Sequence, residues 1–223
     1  MNLQQVLQRR DVWRGSRAPA AQAVASGFTP LDELLPGGGW PRGALTEIVV
    51  AHRGIGELRL LLPALARLSR GDRSIAFIAP PYIPFAPALA AAGVELSRLL
   101  LVHPSTHEEH LWAVEASLRA GACAAVLAWP ETITAPRLRR WQLAAEMGGA
   151  VGVLFQQRKV ENSPAALRLQ LAAGDKNAVK LHILKRRGGW PIGPVCLEFD
   201  HALAVRESSE FSDRDRLPRR AGE

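Results

Sequence analysis

The residues with the most chemical content lie in "VVAHRGIGELRLLLPALARL", Val49 to Leu68. A loop that holds nucleotide phosphates needs glycines, so that backbone N–H groups can wrap the oxygens. It also needs a lysine for the β and γ oxygens and a serine or threonine for magnesium, in the order G-x-x-x-x-G-K-[ST]. Laid on that pattern, Ala51 stands at the first glycine, Gly54 within the loop and Gly56 at the second glycine. Glu57 takes the place of the lysine and Leu58 that of the hydroxyl. One group is inverted in sign and the other is apolar. A carboxylate beside a triphosphate repels it by about 1 kcal/mol per charge pair at about 4 Å in bulk water, and by several-fold more when shielded. MgATP in the usual pose is therefore not expected here. Leu58, Leu61, Leu62, Leu65 and Leu68 recur at helical spacing and predict a packed helix opening from the turn.

The surrounding elements say what would position that loop. A one-turn helix is expected at Pro30–Leu35 and a strand at Leu45–Ala51. Strands follow at 74–80, 99–103, 124–129 and 150–156, with helices at 84–92, 106–120 and 134–147 between them. Continuously apolar strands alternating with helices predict a mostly parallel twisted sheet, covered by helices on both faces. The segments "VKLHILK" (179–185) and "VCLEF" (195–199) predict an antiparallel hairpin at the C-terminal edge. Between them and the last parallel strand, Pro164 followed by Ala165–Leu171 suggests a short helix.

The organisation read from this pattern is an N-terminal helix and linker at 1–24, a core at 25–200 and a tail at 201–223. The N-terminal helix carries Leu3, Val6 and Leu7 on one side, a candidate docking stripe. The tail, with five basic and five acidic residues, is expected to be disordered in isolation. Hydrophobic residues make up 48% of the 223, enough for a sizeable core. There is no apolar run of bilayer-spanning length and no signal-peptide core, so a cytoplasmic location and no membrane partner are expected. Cys123 and Cys196 each sit in an apolar run and read as inert core thiols.

Formal charge is +7, which favours an anionic partner. From Arg158 to Arg187 there are eight basic residues against two acids. Arg158, Lys159, Arg168, Lys176, Lys185, Arg186 and Arg187, with Trp190 to stack a base, are candidates for single-stranded DNA or partner contact. A solvated face accounts for the same run. "RLRRWQLAAE" (137–146) is either an interface of Arg and Trp or an amphipathic helix with Leu138 and Trp141 inward. "HPSTHEEH" brings His103, His107 and His110 close to Glu108 and Glu109. Ser105-x-x-Glu108 and Thr106-x-x-Glu109 are capping boxes that explain the acids without a metal, and no metal or cofactor is expected.

Over roughly Ala25 to Asp200 the chain resembles the RecA/RadA recombinase core. "SGFTPLDELLPGGGWPRGALTEIVV" is similar to that family's lead-in, and "GDRSIAFIAPP" and "GGAVGVLFQQR" continue the likeness in order. The resemblance places the family's catalytic glutamate on Pro81, its metal-orienting aspartate on Trp129 and its nucleotide-sensing glutamine on Gln157. It implies a RecA-like fold whose ATPase groups are gone, a pseudoenzyme with only the glutamine retained. Within the superfamily, "GIGELRLLLPALARL" and "LRAGACAAVLAWP" look like the ImuA/SulA-like proteins of the bacterial DNA-damage response. That likeness implies an accessory of error-prone translesion synthesis. Its implied partners are an ImuB-like polymerase homologue, an error-prone replicative-type polymerase and RecA. Two alternatives stand beside it: a SulA-type division inhibitor that binds FtsZ, and a DNA-stimulated ATPase completed by a neighbouring subunit.

Overall fold

The computed structural model describes residues 22–175 and 177–199. The docking stripe of Leu3, Val6 and Leu7, the tail and Lys176 lie outside the described residues. Two short strands, β1 (Ala23–Val24) and β2 (Trp40–Pro41), pair antiparallel around a one-turn helix, α1 (Thr29–Asp32). The main chain of elements then runs β3 (Ala44–Val50), α2 (Leu62–Ser69), β4 (Ser74–Ile78), α3 (Ala86–Ala91) and β5 (Leu99–Val102). It continues through α4 (His107–Arg119), β6 (Cys123–Ala128), α5 (Ala135–Gly148) and β7 (Val151–Gln156). The chain closes with β8 (Leu167–Ala173), β9 (Ala178–Arg186) and β10 (Ile192–Glu198). Strands β3 to β10 form one eight-stranded sheet in the order β10-β9-β8-β3-β7-β6-β4-β5.

The pairings from β8 through β5 are parallel, while β8–β9 and β9–β10 are antiparallel. The expected mostly parallel sheet with an edge hairpin is therefore what forms. Every residue of β3, β6 and β7 is buried, because helices cover both faces there. One face packs Ile48, Phe77, Leu127 and Phe155 under α2. The other packs Leu45, Ile78, Val126 and Leu154 under α4 and α5. In the antiparallel extension only alternate residues, such as Leu169, Leu171, Leu181 and Ile183, are buried.

Three expectations need correction. Ala165–Leu171 is not a helix: Leu167, Leu169 and Leu171 alternate with polar residues, and this period of two seats them as β8 against β3. Regular helix begins at Leu62, not at the glycine turn, with Pro63 in its first turn; residues 57–61 make irregular turns first. Pro63 has no N–H to give and disfavours helical backbone in the residue before it, so it marks a start and not an interior. Cys196 is exposed on the edge strand, whereas Cys123 is buried and its thiol pKa is raised by burial. Among the described residues no helix is long and apolar enough to cross a membrane.

One buried charge organises the extension. Glu47, with no exposed surface, sits in β3 directly opposite Arg168 of β8. Arg168 Nε donates to Glu47 Oε2 at 2.7 Å, and Gln156 Nε2 of β7 donates to Glu47 Oε1 at 3.3 Å. Arg168→Ala would strand this carboxylate in the core. It should destabilise the fold by about 3–5 kcal/mol, read as a lowered midpoint in urea, and Glu47→Gln combined with it should recover part of that loss.

Candidate functional site

The segment read from the sequence as a degenerate phosphate loop lies at the C-terminal end of β3, where an open parallel sheet usually binds its ligand. Its glycines keep the backbone such a loop needs: Gly54 has φ +86° and Gly56 has φ +101°. The loop closes on its own side chain. Glu57 is buried, and its carboxylate accepts from the Gly54 N–H at 2.9 Å and 3.1 Å through its two oxygens. A backbone donor of the kind that would meet phosphate is thus engaged by an internal anion. The regular helix, whose N-terminal N–H groups would also face a phosphate, starts only at Leu62.

The neighbouring positions are filled with apolar surface. Trp129, at the end of β6, stacks on Phe155 with centroids 4.7 Å apart and meets Phe77 edge-on at 5.7 Å. Pro81 lines the cavity above the loop and offers neither a carboxylate nor an N–H. Phe199, just past β10, comes so close that a Cβ on Gly56 would lie 2.8 Å from its ring. Arg59 lies over that ring at 4.4 Å and donates to Asn177 Oδ1 at 2.6 Å. Burial lowers the pKa of Arg59 without making it anything but a cation. The positions that would serve MgATP in the usual pose do not fit it: Glu57 stands for the lysine and is bonded to the loop, Leu58 for the hydroxyl, and Pro81 and Trp129 for the two acids.

Two cavities flank the loop, and Glu57 and Trp129 line both. One, of about 580 Å³, is walled by Pro81, Tyr82, Ile83 and Phe199. The other, of about 650 Å³, is lined by Arg53, Gln157, Arg158 and Lys159. Gln157, which the resemblance places at the sensor position, is exposed at this second opening, while its neighbour Gln156 is buried on Glu47.

The basic segment does not form one surface. Arg158 and Lys159 are exposed at the loop end of the sheet. Lys185, Arg186, Arg187 and Trp190 belong to the opposite end, where β9 finishes opposite the start of β8. Lys185 Nζ donates to the Ser163 carbonyl at 2.7 Å, Arg186 Nη1 donates to the Leu34 carbonyl, and Arg187 lies 3.8 Å from Glu146. Trp190 is 86% exposed, and Arg168 is committed to Glu47. On α4, Thr106 forms the expected capping box with Glu109, whereas the Ser105 N–H turns to Glu109 and not to Glu108. His110 is buried on that helix, and its pKa is lowered by burial and then by His107. Leu138 and Trp141 point inward with no exposed surface, as the amphipathic reading of that helix expects. The network that sequence reasoning missed is Glu47 with Gln156; its only signal is a lone acid in the apolar run "ALTEIVV".

The fold and the loop together define a RecA-like α/β protein. The family of the cell division inhibitor SulA matches residues 43–152, a span that holds the loop, Pro81 and Trp129. SulA of Edwardsiella piscicida is 30% identical over 126 residues, covering 56% of this chain and 74% of that protein. ImuA of Caulobacter vibrioides is 32% identical over 151 residues, covering 65% of this chain and 61% of ImuA. RecA of Chlorobium limicola is 31% identical over 215 residues, covering 91% of this chain and 59% of RecA. The chain belongs to the RecA-like ImuA/SulA family. It spans about three fifths of the length of the RecA and ImuA proteins it matches.

The loop makes a specific prediction. Glu57→Lys with Leu58→Thr rebuilds the phosphate and magnesium contacts on paper. It removes the internal carboxylate bond and costs about 1 kcal/mol at the partly buried Leu58. With Trp129 and Pro81 unchanged, the double variant should bind a fluorescent ATP analogue weakly at most and turn over none. Steady hydrolysis by the variant, abolished by chelating magnesium, would show that the other two positions are dispensable.

Proposed function

We propose that this chain is a non-catalytic RecA-like accessory of the DNA-damage response, supporting error-prone translesion synthesis by protein contact. The observation that carries the reading is the loop closed on Glu57, with Trp129 packed where a metal-orienting acid would stand. The likeness to ImuA supplies the process, and an ImuB-like polymerase homologue, an error-prone replicative-type polymerase and RecA are the expected partners. A second reading, an FtsZ-binding division inhibitor, is favoured by the match of residues 43–152 to the SulA family. The basic residues and the hairpin beyond that span fit the first reading better.

Co-purification separates the two. The tagged full chain should retain ImuB from an equimolar mixture with FtsZ, and should show no nucleotide binding by calorimetry. Retention of FtsZ alone would replace the first reading with the second. ATP hydrolysis by the wild-type protein, free of contaminating RecA, would overturn both.

Single-stranded DNA, where it is bound, belongs on this reading to the rim formed by Arg53, Arg158 and Lys159, since these share one opening. Arg158→Ala with Lys159→Ala should weaken oligonucleotide binding and reduce the slope of affinity against salt by about one to two released counterions. An unchanged slope in the double variant would move the contact elsewhere, and no affinity at low salt would remove DNA from the reading.

A further inference from the structure

The face of the molecule away from α2 carries a groove that the loop chemistry does not use. Helices α4 and α5 connect successive parallel strands over the same face of the sheet, so they run side by side in the same direction. A groove of about 590 Å³ lies between them. Its floor holds Glu115, buried and bound by three arginines. Arg119 and Arg140 each reach Glu115 Oε1 at 2.9 Å, and Arg137 lies 3.6 Å from Oε2. One wall is Trp112, 72% exposed. From Arg140 the outer face of α5 continues at i+3 and i+7 into Leu143 and Met147, 58% and 72% exposed.

The chemistry of an occupant follows from these groups. Each guanidinium has five N–H donors in a rigid fork, and Glu115 takes only a part of them. Glu115 thereby aims Arg119 and Arg140, whose side chains are 51% and 60% exposed, with donors left for carboxylates from outside. Two acids, Glu115 and Glu108, line the same groove, which disfavours a phosphate backbone drawn along it. Exposed Trp, Leu and Met beside Arg are the residue types that carry protein interfaces. Two parallel helices leave a furrow that a third helix fills.

We propose that the α4–α5 groove docks an amphipathic helix of a partner protein, its apolar side on Trp112, Leu143 and Met147 and its carboxylates on Arg119 and Arg140. The proposal deepens the accessory reading, and rests on it, by naming where a partner is held.

The test uses a display library of helical peptides selected against the full chain. Selected peptides should share an apolar anchor spaced i, i+3 or i+4 from acidic residues. By fluorescence anisotropy they should bind at least about tenfold more weakly to Trp112→Ala, and to Arg119→Ala with Arg140→Ala. Trp112 is largely outside the core, so its variant should keep the wild-type circular dichroism and unfolding midpoint. Failure to select any peptide, or selected peptides indifferent to both variants, overturns the proposal. So does a single-stranded oligonucleotide that loses affinity on Trp112→Ala, which would make the groove a nucleic-acid site. Peptide binding that survives alongside a failed ImuB co-purification would remove the repair assignment and leave the groove intact. The reverse outcome would remove the groove alone.

Discussion

A fully buried carboxylate in the middle of a sheet is tolerated only when its charge and its oxygens are met. Glu47 meets that condition through strands on either side, Gln156 from β7 and Arg168 from β8. Arg168 also donates to the carbonyl of Val160, so the same guanidinium fixes the crossover that brings β8 into parallel register with β3. Everything beyond β8 then follows by antiparallel pairing, including the return of β10 that carries Phe199 to the phosphate loop. The buried pair is a poor source of net stability, since both groups lose water. Its value lies in register: a slip of one residue would turn Arg168 to the opposite face and leave Glu47 bare.

The loop at the end of β3 applies a similar rule on a smaller scale. A turn with two glycines at positive φ exposes backbone donors, and those donors need acceptors. Here a carboxylate three residues on from Gly54 serves as one. The conformation of this loop is therefore held by a bond internal to the chain. The nearby stack of Trp129, Phe155 and Phe77 fills the neighbouring region with packed apolar surface. On the proposed reading, a site built this way no longer depends on a ligand to hold its form, which suits a protein working by contact.

Charge is distributed with the same economy. A net charge of +7 invites a single basic face, yet the cations divide among separate tasks. Arg168 neutralises Glu47, and Arg119, Arg137 and Arg140 surround Glu115. Lys185 and Arg186 hold backbone carbonyls. At the loop end, Arg53, Arg158 and Lys159 line one opening.

The alternating pattern of continuous apolar runs and helices, read from residues alone, was enough for the parallel sheet and its edge hairpin. Both depend on local periodicity and on the need to bury it. That Glu57 and Leu58 stand where a phosphate loop has its lysine and hydroxyl is likewise a matter of residue type at fixed spacing. Two features needed the folded chain. The bond from Gly54 to Glu57 depends on loop dihedrals that composition does not specify. The separation of Arg158 from Arg187 depends on the antiparallel return of β9 along β8, which carries two parts of one basic segment to opposite ends of the sheet. Arg168 reads as a surface cation in one dimension. Only pairing across β3 and β8, which joins residues 121 positions apart, makes it the counter-ion of a buried acid.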